Sequence, residues 1–220
     1  MGYTFNFTDV WHARDELLWG VFLTIQLSAV SMVLSLRIAV FGAFGRTSGP
    51  RWLRGAIAAY VEFVRNTPFL VQLFFVYFGL PAAGLKLTET QAAFIAMTIN
   101  LGAYSTEIIR AGIEATPKGV IEAGVSLAMT RLQVLRHVVL KPAFEKVWPA
   151  LASQIIIVML GSSVVSQIST EDLTYAANFI QSRNFRAFES YFVVALAYLM
   201  LAILARAILR ALGSRLFPKA

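Results

Sequence analysis

The chain has 220 residues, 58% of them hydrophobic and 14% charged, against roughly 25% charged in an ordinary soluble domain, which excludes a soluble fold and points to a membrane. A net charge of +7 would suggest nucleic acid in a soluble protein, but here its distribution follows membrane topology and no nucleic-acid partner is expected. Zero cysteines exclude disulfides and thiolate metal sites, and His12 and His137 are too far apart in sequence to suggest a metal-ligand pair.

Five windows reach or approach the ~20 residues that cross a bilayer core at ~1.5 Å rise per residue. Residues 17–36, 66–85 and 147–170 carry no charge, and 90–106 and 190–205 are shorter uncharged runs with apolar neighbours. They predict spans at about 17–44, 56–80, 88–114, 143–168 and 188–211, one all-α transmembrane domain over 1–220. Asp9, Asp15 and Glu16 precede the first run, which lacks the basic leader of a secretion signal and is expected to be retained. Asn6 stands where N-myristoylation requires Ser or Thr, so no lipid anchor is implied. Pro68 removes a backbone donor and predicts a kink in the second span, with Asn66, Thr67 or a water serving the freed carbonyl. Before the fifth span, "STEDLTYAANFIQSRNFRAFES" (169–190) reads as a helix starting at Thr170, with Glu171 and Asp172 favouring its dipole.

Basic residues orient the spans. With the N-terminus outside, twelve fall in inside segments at about 45–56, 115–146 and 206–220, four fall outside, and Arg37, Arg65 and Arg110 fall within membrane segments. The positive-inside rule therefore predicts N-out, C-in. The stretch "EAGVSLAMTRLQVLRHVV" (122–139) is then cytoplasmic. Thr116-Pro117 reads as an N-cap with proline at the first helical position, and Thr130 with Gln133 has capping-box spacing. Two short helices meeting near 128–130 are expected. Val125, Ala128, Met129, Leu132, Leu135 and Val139 fall on one side at helical spacing. Periodicity alone leaves two uses open, an amphipathic loop on anionic lipid or an element docked in a groove.

Glu62 and Arg65 lie three apart in the second span, as do Glu107 and Arg110 in the third, so each pair shares a helix face. A lone charge at the bilayer centre costs roughly 2.5–3.5 kcal/mol, which predicts a network of these four residues, either an inner gate or a static brace. Gln72, Asn100, Tyr104, Gln154, Ser162 and Ser163 are polar groups able to line a hydrophilic path, although each is individually more often a helix-packing residue. Gly119 and Gly124 have phosphate-loop spacing, but Val125-Ser126 follows where Lys-Ser/Thr is needed, so ATP hydrolysis is not expected in this chain. No catalytic constellation stands out, and the chain is not expected to be an enzyme.

Permeases of bacterial ABC importers carry a cytoplasmic loop of Glu-Ala-Ala, three residues, Gly, nine residues, Ile, one residue and Leu-Pro. The chain resembles it with Glu122-Ala123-Gly124, Ala128, Val138 and Leu140. "RNTPFLVQLFFVYFGLP" (65–81), "AYSTEIIRAGIEATPKGVIEAG" (103–124) and "QSRNFRAFESYFVVALAYL" (181–199) are similar to the polar amino-acid uptake subfamily, and the resemblance covers about 15–212. Ala128 stands where the family glycine breaks the loop, which weakens the expectation of a sharp turn there and puts more of it on the cap at Thr130. Gly124 replaces a family alanine, Lys141-Pro142 shifts the proline by one position, and Leu160-Gly161 replaces a pair that is often polar or charged.

The resemblance implies a type I ABC importer permease with cytoplasmic coupling helices, a multi-pass subunit of the bacterial cytoplasmic (inner) membrane forming half of a path for a polar amino acid or derivative. It further implies two ATPase subunits that bind ATP and Mg, an extracytoplasmic substrate-binding protein, and a second permease, favoured as a non-identical homologue because Gly161 has lost a polar contact. No cofactor or metal is expected in this chain. The loop 115–142 would couple to the ATPase through Glu122, Ala123, Gly124, Ala128, Met129, Thr130, Arg131, Leu132 and Arg136, and Gly161 joins the candidate path. The rival is a proton-coupled secondary amino-acid carrier using Glu62 and Glu107, against which stands the lack of obvious repeated halves.

Overall fold

The computed structural model describes residues 4–130 and 133–218, which among themselves form helices and no strand. A short α1 (Thr8–His12) leads into α2 (Arg14–Ser48), which runs until Gly49-Pro50 stops it. The second span is broken. Helices α3 (Arg51–Arg65) and α4 (Phe69–Ala82) meet at 111°, far more than the kink expected of Pro68, because Asn66 and Thr67 also leave the helix. α5 (Glu89–Glu114) starts at a capping box in which Thr88 and Gln91 each accept the other's backbone N–H. The short α6 (Lys118–Ser126) precedes α7 (Val134–Ile168), which begins with a wide turn at Val134–Val139 just before Pro142 and tightens over Ser162–Ile168. Proline crowds the preceding carbonyls, and a wider turn relieves that. α8 (Leu173–Asn184) and α9 (Ala187–Leu216) complete the chain. The long helices outrun the expected spans at several ends because hydropathy marks the stretch suited to lipid, whereas a helix continues through Arg and Ser until a breaker intervenes.

Small residues set the packing. Gly42 of α2 lies so close to α5 that a Cβ would sit 2.7 Å from Thr106 Oγ1, and at Gly102 of α5 one would sit 3.3 Å from Ile38 Cγ2. These pairs place the first and third spans parallel and in close contact, which favours dispersion where lipid offers no hydrophobic drive. At Gly112 a Cβ would lie 2.6 Å from Val147 Cγ1, which fixes α5 on α7. The same end of the molecule gathers the C-termini of α2, α5 and α9, the start of α7 and most of the basic residues, including Arg46, Arg206 and Arg210.

At the opposite end, α8 is held by polar contacts. Its N-cap is Asp172 and not Thr170. Asp172 Oδ1 accepts the Tyr175 N–H at 2.9 Å and Oδ2 accepts the Tyr198 hydroxyl at 2.9 Å, while the buried Thr170 hydroxyl has no hydrogen-bond partner among the described residues. The carboxylate reaches the third N–H of the helix only from position 172. Leu173 N donates to Thr24 Oγ1 at 3.2 Å, and Gly20 makes room for this backbone. A buried Glu189 accepts from Arg186 Nη1 at 3.0 Å and from Asn6 N at 3.1 Å, strapping the N-terminal segment to the start of α9. Composition and spacing do not mark this pair, because it is local to one turn.

Burial pushes the Asp172 carboxyl from its ordinary 3.8 up to about 6. The folded chain then binds more protons at this group than the unfolded chain between these values, so the contribution of Asp172 to stability is greatest below about pH 4, falls as pH rises through 6, and levels off above it. The shift corresponds to about 3 kcal/mol. Thermal unfolding in detergent from pH 4 to 8 should show this slope, and Asp172→Asn should flatten it.

Candidate functional site

The break in the second span builds the first part of the site. Asn66 Nδ2 donates to the Glu62 carbonyl at 2.8 Å and to Glu62 Oε2 at 3.0 Å, and Thr67 Oγ1 donates to the Phe63 carbonyl at 2.8 Å. The Val64 carbonyl would have received the N–H that Pro68 lacks. Gln72 Nε2 supplies it at 2.7 Å, and lies 3.0 Å from Thr67 O and 2.9 Å from Thr67 Oγ1. Asn100 Nδ2 then donates to Gln72 Oε1 at 3.0 Å. The Gln72 amide is thus engaged at both ends, which makes it a latch across the break and not a group facing a path.

Beside the break lies a cavity of about 440 Å³, within the range of small-molecule sites. It brings together Asn100, Tyr104, Gln154 and Gly161, walled by Thr67, Pro68 and Phe69, and among the described residues no formally charged side chain lines it. A Cβ on Gly161 would meet nothing within 4 Å, so this position leaves open space. Ser162 is buried, with its hydroxyl donating to the Met159 carbonyl at 2.7 Å, and neither Ser162 nor Ser163 lines the cavity.

The four intramembrane charges do not meet as one cluster. Arg110 grips Glu107 through Nε at 3.0 Å and through Nη2, and its Nη1 reaches Glu114. This ladder stays on α5. Arg65 lies over the Tyr104 ring at 5.4 Å to the centroid. Glu62 is exposed and, among the described residues, forms no ion pair. Glu114 was missed because it lies one turn past the expected charge pair, at the membrane boundary.

The second part of the site is the elbow between α6 and α7. Pro117 is the N-cap of α6, one residue after the expected Thr116, whose N–H is taken by the Ile113 carbonyl. The sharp turn does fall on Ala128, at φ +58. Ala128 N donates to Val125 O at 2.9 Å and Met129 N to Gly124 O at 3.2 Å, the double bond of a Schellman C-cap. Those bonds offset the ~1–2 kcal/mol that a left-handed non-glycine residue costs. The capping box follows, with Thr130 N donating to Gln133 Oε1 at 2.8 Å and Gln133 N to Thr130 Oγ1 at 3.3 Å. Arg131 and Leu132 lie outside the described residues. Gly124 is buried where α6 crosses α7, and a Cβ there would lie 3.1 Å from Val134 Cγ2. Glu122, Ala123 and Arg136 are exposed.

The expected apolar stripe from Val125 to Val139 does not form one face. Val139 is buried, and Met129 and Leu135 pack with it against Ile109, Ile113 and Ala143. Val125 and Leu127 instead stand out, 59% and 77% exposed, with Val120 and Ile121 beside them. The Schellman turn reverses the chain at 128, so helical phase does not carry across it. The outward set, Leu127 above all, was missed for that reason.

Residues 18–218 match the family described as "Binding-protein-dependent transport system inner membrane component". The chain is 34% identical over 215 residues to the glutamine transport system permease protein of Escherichia coli (strain K12), covering 96% of this chain and 98% of that protein. It is 38% identical over 184 residues to a probable glutamine ABC transporter permease protein of Bacillus subtilis (strain 168), covering 84% and 85%. A solved structure titled as an amino acid ABC transporter with histidines superposes with a TM-score of 0.88 at 32% identity, over 97% of this chain and all of that one.

Gln72→Leu leaves the Val64 carbonyl and the Asn100 amide without their partners, at about 1–3 kcal/mol for each group. The unfolding midpoint in detergent should drop accordingly, and an unchanged midpoint would show that the latch contributes nothing.

Proposed function

Because the chain belongs to the binding-protein-dependent transport system inner membrane components, a permease subunit of an ATP-driven importer, we propose that it carries an amino acid through the cavity at the Pro68 break and couples to an ATPase through the exposed tip of α6. Its relatives, glutamine permeases and an amino acid ABC transporter, support an amino-acid cargo. A zwitterion needs both donors and acceptors, which Asn100, Gln154 and Tyr104 offer. The basic end, bearing the elbow, faces the cytoplasm, and the N-terminus and α8 face outward to an extracytoplasmic binding protein.

The observation that carries the coupling role is the outward apolar set at the elbow, Val120, Ile121, Val125 and Leu127, left uncovered at the basic end. It fits a groove on an ATPase subunit, which binds ATP and Mg. Two such ATPases and a second permease complete the assembly. The open space at Gly161 supports a non-identical permease that supplies a polar contact this chain lacks. The direct ion pairs of Glu107, Arg110 and Glu114 lie within α5, while Arg46 of α2 and Arg65 of α3 act on Glu107 only through space; such loose links across helices suit a gate that rearranges.

Leu127→Glu places a charge in the docking groove, and co-purification of the ATPase subunit should fall at least about thirtyfold, as expected for a hot spot of about 2 kcal/mol or more. Wild-type recovery would dismiss the elbow as the contact. Glu107→Gln should leave the assembly intact while ATP hydrolysis proceeds without matching uptake. Loss of assembly would make the ladder a brace.

A further inference from the structure

Between α7 and α9, at the basic end, a groove of about 1080 Å³ opens on the surface. Its floor is fixed. Trp148 Nε1 donates to the Leu209 carbonyl at 3.0 Å, and its ring lies 5.9 Å from that of Phe217. Gly213 admits the indole, since a Cβ there would lie 2.3 Å from Nε1. From Trp148 the wall continues along α7 through Ile156, Ile157 and Leu160, with Ile157 59% exposed. The distance from Trp148 to Leu160 is about 18 Å of helix, close to the ~15 Å hydrocarbon depth of one leaflet.

Arg206 and Arg210 line the groove from α9, one turn apart. Both are exposed, and neither forms an ion pair among the described residues. Like charges at this spacing repel, and Glu145 is the one acid among the described lining residues. The groove therefore combines a net positive mouth with an adjoining apolar wall.

We propose that it binds an anionic phospholipid of the leaflet at the basic end. The two guanidinium groups hold the phosphate, to which their planar forks are matched, and an acyl chain lies along Ile156, Ile157 and Leu160. Basic pockets between membrane helices suit anionic head groups for the same reason. A zwitterionic lipid fills the trough equally well but brings its own cation to the two arginines.

Native mass spectrometry of the detergent-solubilised chain, titrated with phosphatidylglycerol, phosphatidylcholine or inorganic phosphate, tests this directly. Phosphatidylglycerol should bind, and the double variant R206Q/R210Q should weaken it about thirtyfold, while phosphatidylcholine binds weakly to both proteins. Leu160→Trp, at a position outside the cavity at the Pro68 break, fills the trough with the cations intact and should also weaken phosphatidylglycerol, with helicity unchanged by circular dichroism. Equal phosphatidylglycerol binding by wild type and R206Q/R210Q would overturn the proposal. So would its displacement by inorganic phosphate at matching concentration, which marks a bare anion site, or cross-linking of two copies through Leu160→Cys, which marks the groove as a seat for a second chain.

Discussion

In hydrocarbon an unpaired backbone carbonyl has no water to turn to, so any break in a spanning helix must be satisfied from within the protein. The second span breaks at Pro68, and the carbonyl of Val64 is the group that break deprives. Gln72 answers it from the next helix segment, and Asn100 of α5 holds Gln72 in place. Two amides thereby join the broken span to the third one. The cavity exists because α3 and α4 diverge at 111° and cannot cover the surface of α5 and α7 between them.

The rest of the bundle supplies rigidity on either side of that break. Glycines at 42, 102 and 112 bring α5 against α2, α3 and α7, with Tyr60 Oη 3.0 Å from the Cβ position of Gly102. Tyr60 also donates its hydroxyl to the Ile99 carbonyl at 2.7 Å, which pins α3 to α5 at the residue just before Asn100. The elbow is attached to the same framework, since Met129, Leu135 and Val139 pack against Ile109 and Ile113 at the end of α5. The elbow thus rests on α5, the helix that carries Asn100 and the Glu107–Arg110 pair.

Much of this is written locally. The capping boxes at Thr88 and Thr130, the break at Pro68 and the lengths of the apolar runs each depend on residues within four positions of one another. What local pattern misjudges is phase across a turn and partners across the bundle. Ala128 adopts the left-handed turn without glycine because Val125 and Gly124 supply carbonyls to its N–H and that of Met129. Asp172 displaces Thr170 as a cap because its second oxygen meets Tyr198 from another helix.

By itself, then, the sequence determined an all-helical membrane chain, the number of apolar segments, a kink at Pro68, the elbow and the family, since these rest on composition, spacing and short motifs. Only the tertiary structure decided that Gln72 latches while Asn100, Tyr104, Gln154 and Gly161 share a cavity, that Glu62 stands apart from Glu107 and Arg110, and that Leu127 points outward. Those assignments turn on which helix faces meet, and the angle at Pro68 and the reversal at Ala128 set that in three dimensions without leaving a period in the chain.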